Sequence, residues 1–489
     1  MESIQQVKIA TPKQALLVLV LILATLLIGF VGLNTDGIIM LTVVSLIAGT
    51  FAKYLGYNWN DIAEAISYKV SKSVPALLIL LGIGVLTGTW MAGGVIPAMI
   101  YYGLIIIDPN FLLVTAFIVG SLISLVTGTS WGTVGTIGVA MIGVATGLGI
   151  PLPMIAGAVI SGAYFGDKMS PLSDTTNMAS LAAKADLYDH IKQMFVTTIP
   201  AMIFACIVFG VLGSNFSGDL VNSPIYNSMI NELETNFHFN LVLLIPPAIV
   251  LYGAVTKKPT VPTLLASSAV AVIIAYTIQG FDLAVSINSI KSGFSSSVAL
   301  QNISISPEVA KLLNRGGGAS MFEAVIFVIV AFAFGGIIQL TQVIEIALKK
   351  MLSSIKNVTQ LVLASGLSSS VTIAIVQNSY ITYFLVSETY GAKYKELGLK
   401  ERNLSRVLED FVTVVEGLMP WTVSGVYMAT TLGVSCLDFA PYAVFNWACV
   451  ALSIIYAFTY KSIGKFAFSL AKDGAKTESE SSPVIDSKG

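Results

Sequence analysis

Charge is what this chain has least of. Only 11% of its 489 residues are Asp, Glu, Lys or Arg, against about 25% in a soluble domain. Cysteine is scarce as well. Cys206, Cys436 and Cys449 all lie in apolar segments, with no Cys-x-x-Cys spacing and no histidine beside them. That excludes a disulfide framework and a zinc site, and leaves inert buried thiols. The only two histidines, His190 and His238, fall at membrane boundaries and read as interfacial. A net charge of −1 offers nothing to nucleic acid. The run Arg315-Gly316-Gly317-Gly318 lacks the lysine and hydroxyl of a nucleotide-binding loop. ATP-driven pumping and a bound cofactor are therefore not expected. No small-residue cleavage site follows the first apolar run, Ala15 to Val31, so that run reads as a membrane helix and not a leader.

Apolar sequence takes the place of charge, at 55% of residues. The expectation is an all-α polytopic membrane protein of about 10–14 segments, each span needing roughly 20 apolar residues. Spans are predicted at 14–32, 36–52, 75–90, 110–126, 190–213, 238–255, 260–278, 321–345 and 440–460. Shorter or interrupted apolar segments fall at 134–149, 154–165, 357–373, 374–390 and 404–418. Segment 56–74 reads as an amphipathic helix lying on the membrane surface, and 280–315 is too polar to span. Lys and Arg cluster at 53–72, 184–192, 257–258, 349–356, 393–406 and 461–476, whereas 33–37, 107–110, 146–153 and 214–237 carry none. The positive-inside rule then places the basic loops and both termini in the cytoplasm.

The chain repeats itself. Ser130-Trp131-Gly132-Thr133 matches Ser379-Tyr380-Ile381-Thr382, Leu148-Gly149 matches Leu397-Gly398, Asp167 matches Glu416 and Pro171 matches Pro420, all 249 residues apart. Gly88 matches Gly336 and Val95-Ile96 matches Val343-Ile344 at an offset of 248. Loop 146–153 lacks basic residues while its counterpart 395–402 is rich in them, so the two copies run oppositely through the membrane. The division expected is a cytoplasmic N-terminus (1–13), a first repeat (14–213), an extracytoplasmic linker (214–237), a second, inverted repeat (238–460) and a polar cytoplasmic tail (461–489) that is disordered from about Lys472. Inverted repeats with broken helices are the architecture of secondary transporters, whose site lies where the repeats meet.

The stretch from Ser161 to Ala179 carries Asp167, Lys168 and Asp174 between apolar runs, with Gly166 and Pro171 to break a helix. Ser173 and Asn177 add oxygen atoms. Ionisable residues at membrane depth mark pathways for ions or protons, and a carboxylate there can hold either Na+ or H+. The tip Thr127–Thr133 contributes Thr129, Ser130 and Thr133, and its repeat partner contributes Asn378 and Ser379. These hydroxyl and amide oxygens suit a hard cation. Glu416 is the counterpart of Asp167, while Glu409 and Asp410 read as lying nearer the cytoplasmic boundary with Arg402 and Arg406. The set expected to hold Na+ is Asp167, Asp174, Thr129 and Asn378, with Ser130, Thr133, Ser173, Asn177, Ser379 and Glu416 around it. Gly88 to Gly94 reads as a helix-packing face. A different class, an intramembrane aspartyl hydrolase built on Gly166-Asp167, needs a second carboxylate about 3 Å away sharing a proton.

The stretches LGIGVLTGTWMAGGVIP (81–97), TGTSWGTVGTIG (127–138) and SGAYFGDKMSPLSDTTN (161–177) resemble the NhaC family of bacterial sodium/proton antiporters, and the likeness in character continues through VEGLMPW (415–421). The resemblance implies Na+/H+ exchange, with some members resembling malate/lactate exchangers coupled to Na+ and H+. It also implies scaffold and transport parts that move like an elevator, often in a homodimer.

Overall fold

The computed structural model describes residues 7–33, 35–216, 223–300, 305–462 and 466–470. Every named element among them is a helix, and one isolated bridge, between Leu399 and Leu470, is the only extended pairing. Among the described residues, eight helices are long and apolar enough to cross a membrane. Two further pairs, bent by 102° at 236–241 and by 89° at 432–436, raise the count to ten if each is one broken span. This is the low end of the range expected.

The repeat is written in the helix boundaries. The Leu112–Thr127 and Val358–Val376 helices end 249 residues apart. The helices that begin at Ser130, Leu152, Asp174 and Leu187 have partners that begin at Ser379, Glu401, Val423 and Cys436, again 249 residues on. In the upstream part of each half a helix ends and restarts at a left-handed residue, Gly94 (φ 77°) and Gln342 (φ 54°), with Val95 and Val343 opening the next helix. The two halves thus share turn geometry where they share almost no side chains.

Small residues let the helices touch backbone to backbone. A Cβ on Gly162 would sit 2.3 Å from the Phe117 carbonyl oxygen, and one on Gly166 2.4 Å from Leu125 N. This binds the Leu152–Met169 helix closely to Leu112–Thr127. Gly88 meets the Ser289 carbonyl in the same way, at 2.4 Å, so the 88–94 face is a packing face as expected. The run Arg315–Gly318 has its purpose here: Gly317, at φ 82°, donates its N–H to the Gly84 carbonyl at 2.6 Å.

Several expectations are corrected. The helix expected over 56–74 forms as Trp59–Ser71 and packs on the Phe322–Thr341 helix. Lys69 is 2% exposed and donates to Gln339 at 3.0 Å, because Gly336 lets the Phe322–Thr341 helix approach as far as the Ala65 carbonyl. The 214–237 linker contains a helix, Pro224–Asn236, whose Met229 and Leu233 are buried. The spans expected at 238–255 and 440–460 are broken, the first belonging to the 102° bent pair and the second following the 89° bend as Val444–Phe458. Segment 357–373 is a full helix, Val358–Val376. His190 is not interfacial but fully buried, bonded to Ser405 Oγ at 2.8 Å. The tail does not leave the body at 461: Ala467 and Phe468 are buried, and Gln193 donates to the Ala467 carbonyl at 2.8 Å. Its polar end from Lys472 lies outside the described residues.

Candidate functional site

Each repeat places a carboxylate beneath a broken helix tip. The Leu112–Thr127 helix stops at Gly128, whose φ of 69° turns the chain out of the helix, and a new helix starts at Ser130 with Thr129 as its cap. Ser130 Oγ, the first side chain of that helix, donates to Asp167 Oδ2 at 2.7 Å. Ser173 Oγ donates to Asp167 Oδ1 at 2.6 Å from the far side of the Pro171 break. Asp167 is 3% exposed, so its two oxygens face two hydroxyls and almost no solvent. Thr176 closes the break by donating to the Asp167 and Lys168 carbonyls, both at 3.1 Å.

The second half repeats the arrangement. Val358–Val376 stops at Gln377 (φ 55°), Asn378 caps the next helix, and Ser379 donates to Glu416 Oε2. Ser424 donates to Glu416 Oε1, and Thr422 Oγ1 to the Glu416 carbonyl at 2.5 Å. Both carboxylates are therefore held by two serine hydroxyls, one from the tip and one from beyond the proline. The separation from tip serine to acid is 37 residues in each half. A buried polar group is tolerated when it is hydrogen-bonded, and these acids meet that condition without a cationic partner.

Not every expected residue joins a cradle. Asp174 is exposed and accepts from Tyr380 Oη of the other repeat. Asn177 turns inward on its own loop, donating to the Pro171 carbonyl at 2.9 Å and the Ser173 carbonyl at 2.5 Å. Thr129 and Asn378 accept from Gly132 N at 3.2 Å and Ile381 N at 2.9 Å as helix caps, which leaves each oxygen one further lone pair. Thr133 is buried and donates back to the Thr129 carbonyl at 2.9 Å, so its hydroxyl serves the helix. Among the described residues, no three His, Cys, Asp or Glu side chains gather in a way that could hold a metal ion.

Three features were missed from sequence. Tyr164 is fully buried with its hydroxyl against Gly417, beside Glu416, and has no hydrogen-bond partner. Trp131 stacks on Tyr427 with centroids 4.3 Å apart and planes 8° from parallel, and Tyr427 Oη donates to the Trp131 carbonyl at 2.5 Å. Glu409 and Asp410 are not at a boundary but fully buried, with Asp410 ion-paired to Lys168. Only the position of Lys168 beside Asp167 hinted at the last of these. Among the described residues no hydrogen bond joins Asp167 to a second carboxylate; each of its oxygens accepts from a serine.

A family model described as the Na+/H+ antiporter family matches residues 162–460. Curated relatives align along nearly the whole chain. An uncharacterized Na+/H+ antiporter of Haemophilus influenzae is 42% identical, over 95% of this chain and 99% of that protein. The malate-2H+/Na+-lactate antiporter of Bacillus subtilis is 36% identical, over 97% and 99%. The Na+/H+ antiporter NhaC of Alkalihalophilus pseudofirmus is 34% identical, over 94% and 98%. With its broken helices, its paired carboxylate cradles and this likeness from end to end, the chain belongs to the Na+/H+ antiporter family.

Proposed function

We propose that this chain exchanges Na+ for H+ across the bacterial cytoplasmic membrane, with both termini inside. Asp167 is the carboxylate for which the two ions compete, and Glu416 is its counterpart in the second repeat. The observation that carries this reading is the cradle itself. Asp167 is almost fully buried, bears no cationic partner and is surrounded by hydroxyl oxygens. An anion in such a place is stable when a cation or a proton neutralises it. Serine hydroxyls can rotate from donating to the carboxylate to presenting a lone pair to Na+. Asp174, Thr129 and Asn378 then serve as outer oxygens, reached as the tips move in an alternating, elevator-like cycle. The homodimer implied by the family belongs to the same proposal and is read from the mass of the purified protein in detergent.

The test is dissipation of a pH gradient by added Na+ in proteoliposomes. Na+-dependent proton flux in the wild type, lost in Asp167→Asn, supports the reading. No such flux at any pH between 6 and about 9, a range bracketing perturbed carboxylates, ends it. A second reading, organic-anion exchange, is favoured by the 36% identity to the relative named as a malate/lactate antiporter. Counterflow of labelled malate that requires the protein would establish it, and malate movement equal to that of protein-free liposomes would remove it.

A further inference from the structure

Away from the serine cradles, Arg406, Glu409 and Asp410 are buried completely together with Lys168. Asp410 is fully partnered. It pairs with Lys168, accepts from Thr197 at 3.1 Å and Ser453 at 3.0 Å, and lies 3.9 Å from Arg406 Nε. Glu409 is the opposite case: it has no exposure, and among the described residues neither carboxylate oxygen has a hydrogen-bond partner in good geometry, the neighbouring Thr413 Oγ1 being bonded to Tyr383 Oη at 2.6 Å. Lys168 is committed to Asp410, and Arg406 turns to the Ala467 carbonyl at 3.0 Å and the Phe468 ring. A buried ionised carboxylate without a donor from the protein is far costlier than the neutral acid in the same place. Glu409 also begins a π-helical turn, Glu409–Thr413, a distortion common at functional sites.

The groups around Glu409 come from every neighbouring element that carries a titratable side chain. Lys168 and Asp167 approach from the Leu152–Met169 helix, Arg406 from Glu401–Leu408, Tyr383 from Ser379–Glu396 and Cys449 from Val444–Phe458. Asp410 and Thr413 share its own turn, Asp174 and Glu416 lie on the packed helices beyond, and Val358–Val376 carries no titratable group. None of the serines that hold Asp167 or Glu416 bonds to Glu409, so it is not part of either cradle.

We propose that Glu409 carries a second proton in each transport cycle, separate from the Na+/H+ competition at Asp167, and so makes the exchange electrogenic. The inference rests on the antiporter reading above. One Na+ exchanged for one H+ at Asp167 moves no net charge. A proton on Glu409, released when the packed helices part, makes the turnover two H+ for one Na+ and moves one charge.

The experiment is Na+ accumulation in proteoliposomes under an imposed K+ diffusion potential with no pH gradient. For one net charge, about 59 mV holds a tenfold Na+ ratio. The wild type is expected to follow that slope. Glu409→Gln, which keeps the shape of the neutral acid, is expected to retain Na+/Na+ exchange and Na+-dependent proton flux but to lose the response to potential. A wild type indifferent to potential, or a Glu409→Gln protein that still follows it, overturns the proposal. So does loss of Na+/Na+ exchange in a folded Glu409→Gln protein, which would place Glu409 in the Na+ site. If Glu409→Gln does not fold, the carbonyl stretch of a protonated acid in the infrared spectrum decides: it must shift in Glu409→Asp, and an unshifted band overturns the proposal. Absence of any Na+-dependent proton flux in the wild type fails the antiporter reading itself, and the second proton falls with it.

Discussion

Gly128→Ala tests the first cradle through its backbone. Gly128 has φ 69°, and a left-handed alanine costs about 1–2 kcal/mol. Its Cβ would also lie 2.7 Å from the Leu172 carbonyl carbon and 2.8 Å from Ser173 N, inside any real contact distance. Those are backbone atoms, so the 172–173 segment must move, and it carries the hydroxyl that donates to Asp167 at 2.6 Å. Once displaced, that hydroxyl can no longer turn its lone pair to Na+, and an oxygen ligand contributing about 1.4 kcal/mol to the bound state is tenfold in affinity. The expected result is a half-saturating Na+ concentration raised about tenfold, measured by Na+ titration of pH-gradient dissipation in everted vesicles. Ser173→Ala, which removes the same hydroxyl without pressing on the backbone, is expected to give a similar rise. A well-folded Gly128→Ala protein with wild-type half-saturation would refute the reasoning, because it would show that the position of Ser173 does not set the affinity of the site.

Further outcomes follow from particular contacts. Gln377→Gly, at the matching turn of the second repeat, removes a side chain from φ 55° and should raise thermal stability in detergent by about 1 kcal/mol; a lower melting temperature contradicts it. Lys168→Ala leaves the Asp410 charge uncompensated in a dry interior and should cost about 3–5 kcal/mol, while Lys168→Met with Asp410→Leu recovers most of the loss. Equal melting temperatures for the single and double variants would count against the pair. Tyr380→Phe frees Asp174, which is exposed, so half-saturation by Na+ should move less than about fivefold, or about 1 kcal/mol. A larger shift would make Asp174 an inner ligand.

The tips were legible because their signal is local. A hydroxyl cluster between two apolar runs, repeated 249 residues later, marks both breaks and both acids, while the pairings Ser130–Asp167 and Ser379–Glu416 come from the structure. Asp174 and Asn177 misled because residue type says nothing of direction: one points to solvent and a tyrosine of the other half, the other back into its own loop. Lys168 and Asp410 are separated by 242 residues, and no periodicity joins charges that meet only when two repeats pack. Charge counting places the basic cluster 393–406 on the cytoplasmic side but does not show that Arg406 is buried beneath Phe468, in a tail segment with two buried apolar side chains. Bend angles were also out of reach, since hydropathy counts apolar residues and carries no information about the direction of the next helix.

The two tips are not seated alike. Tyr380 reaches Asp174 on the facing helix of the other repeat, whereas Trp131, its counterpart, lies on Tyr427, which corresponds to position 178. Positions 174 and 178 are one helical turn apart, about 5.4 Å along the axis. The two tips therefore engage the other repeat through unlike contacts at positions one turn apart, one a hydroxyl on a carboxylate and the other a ring on a ring, so the likeness of the halves is not kept where they meet.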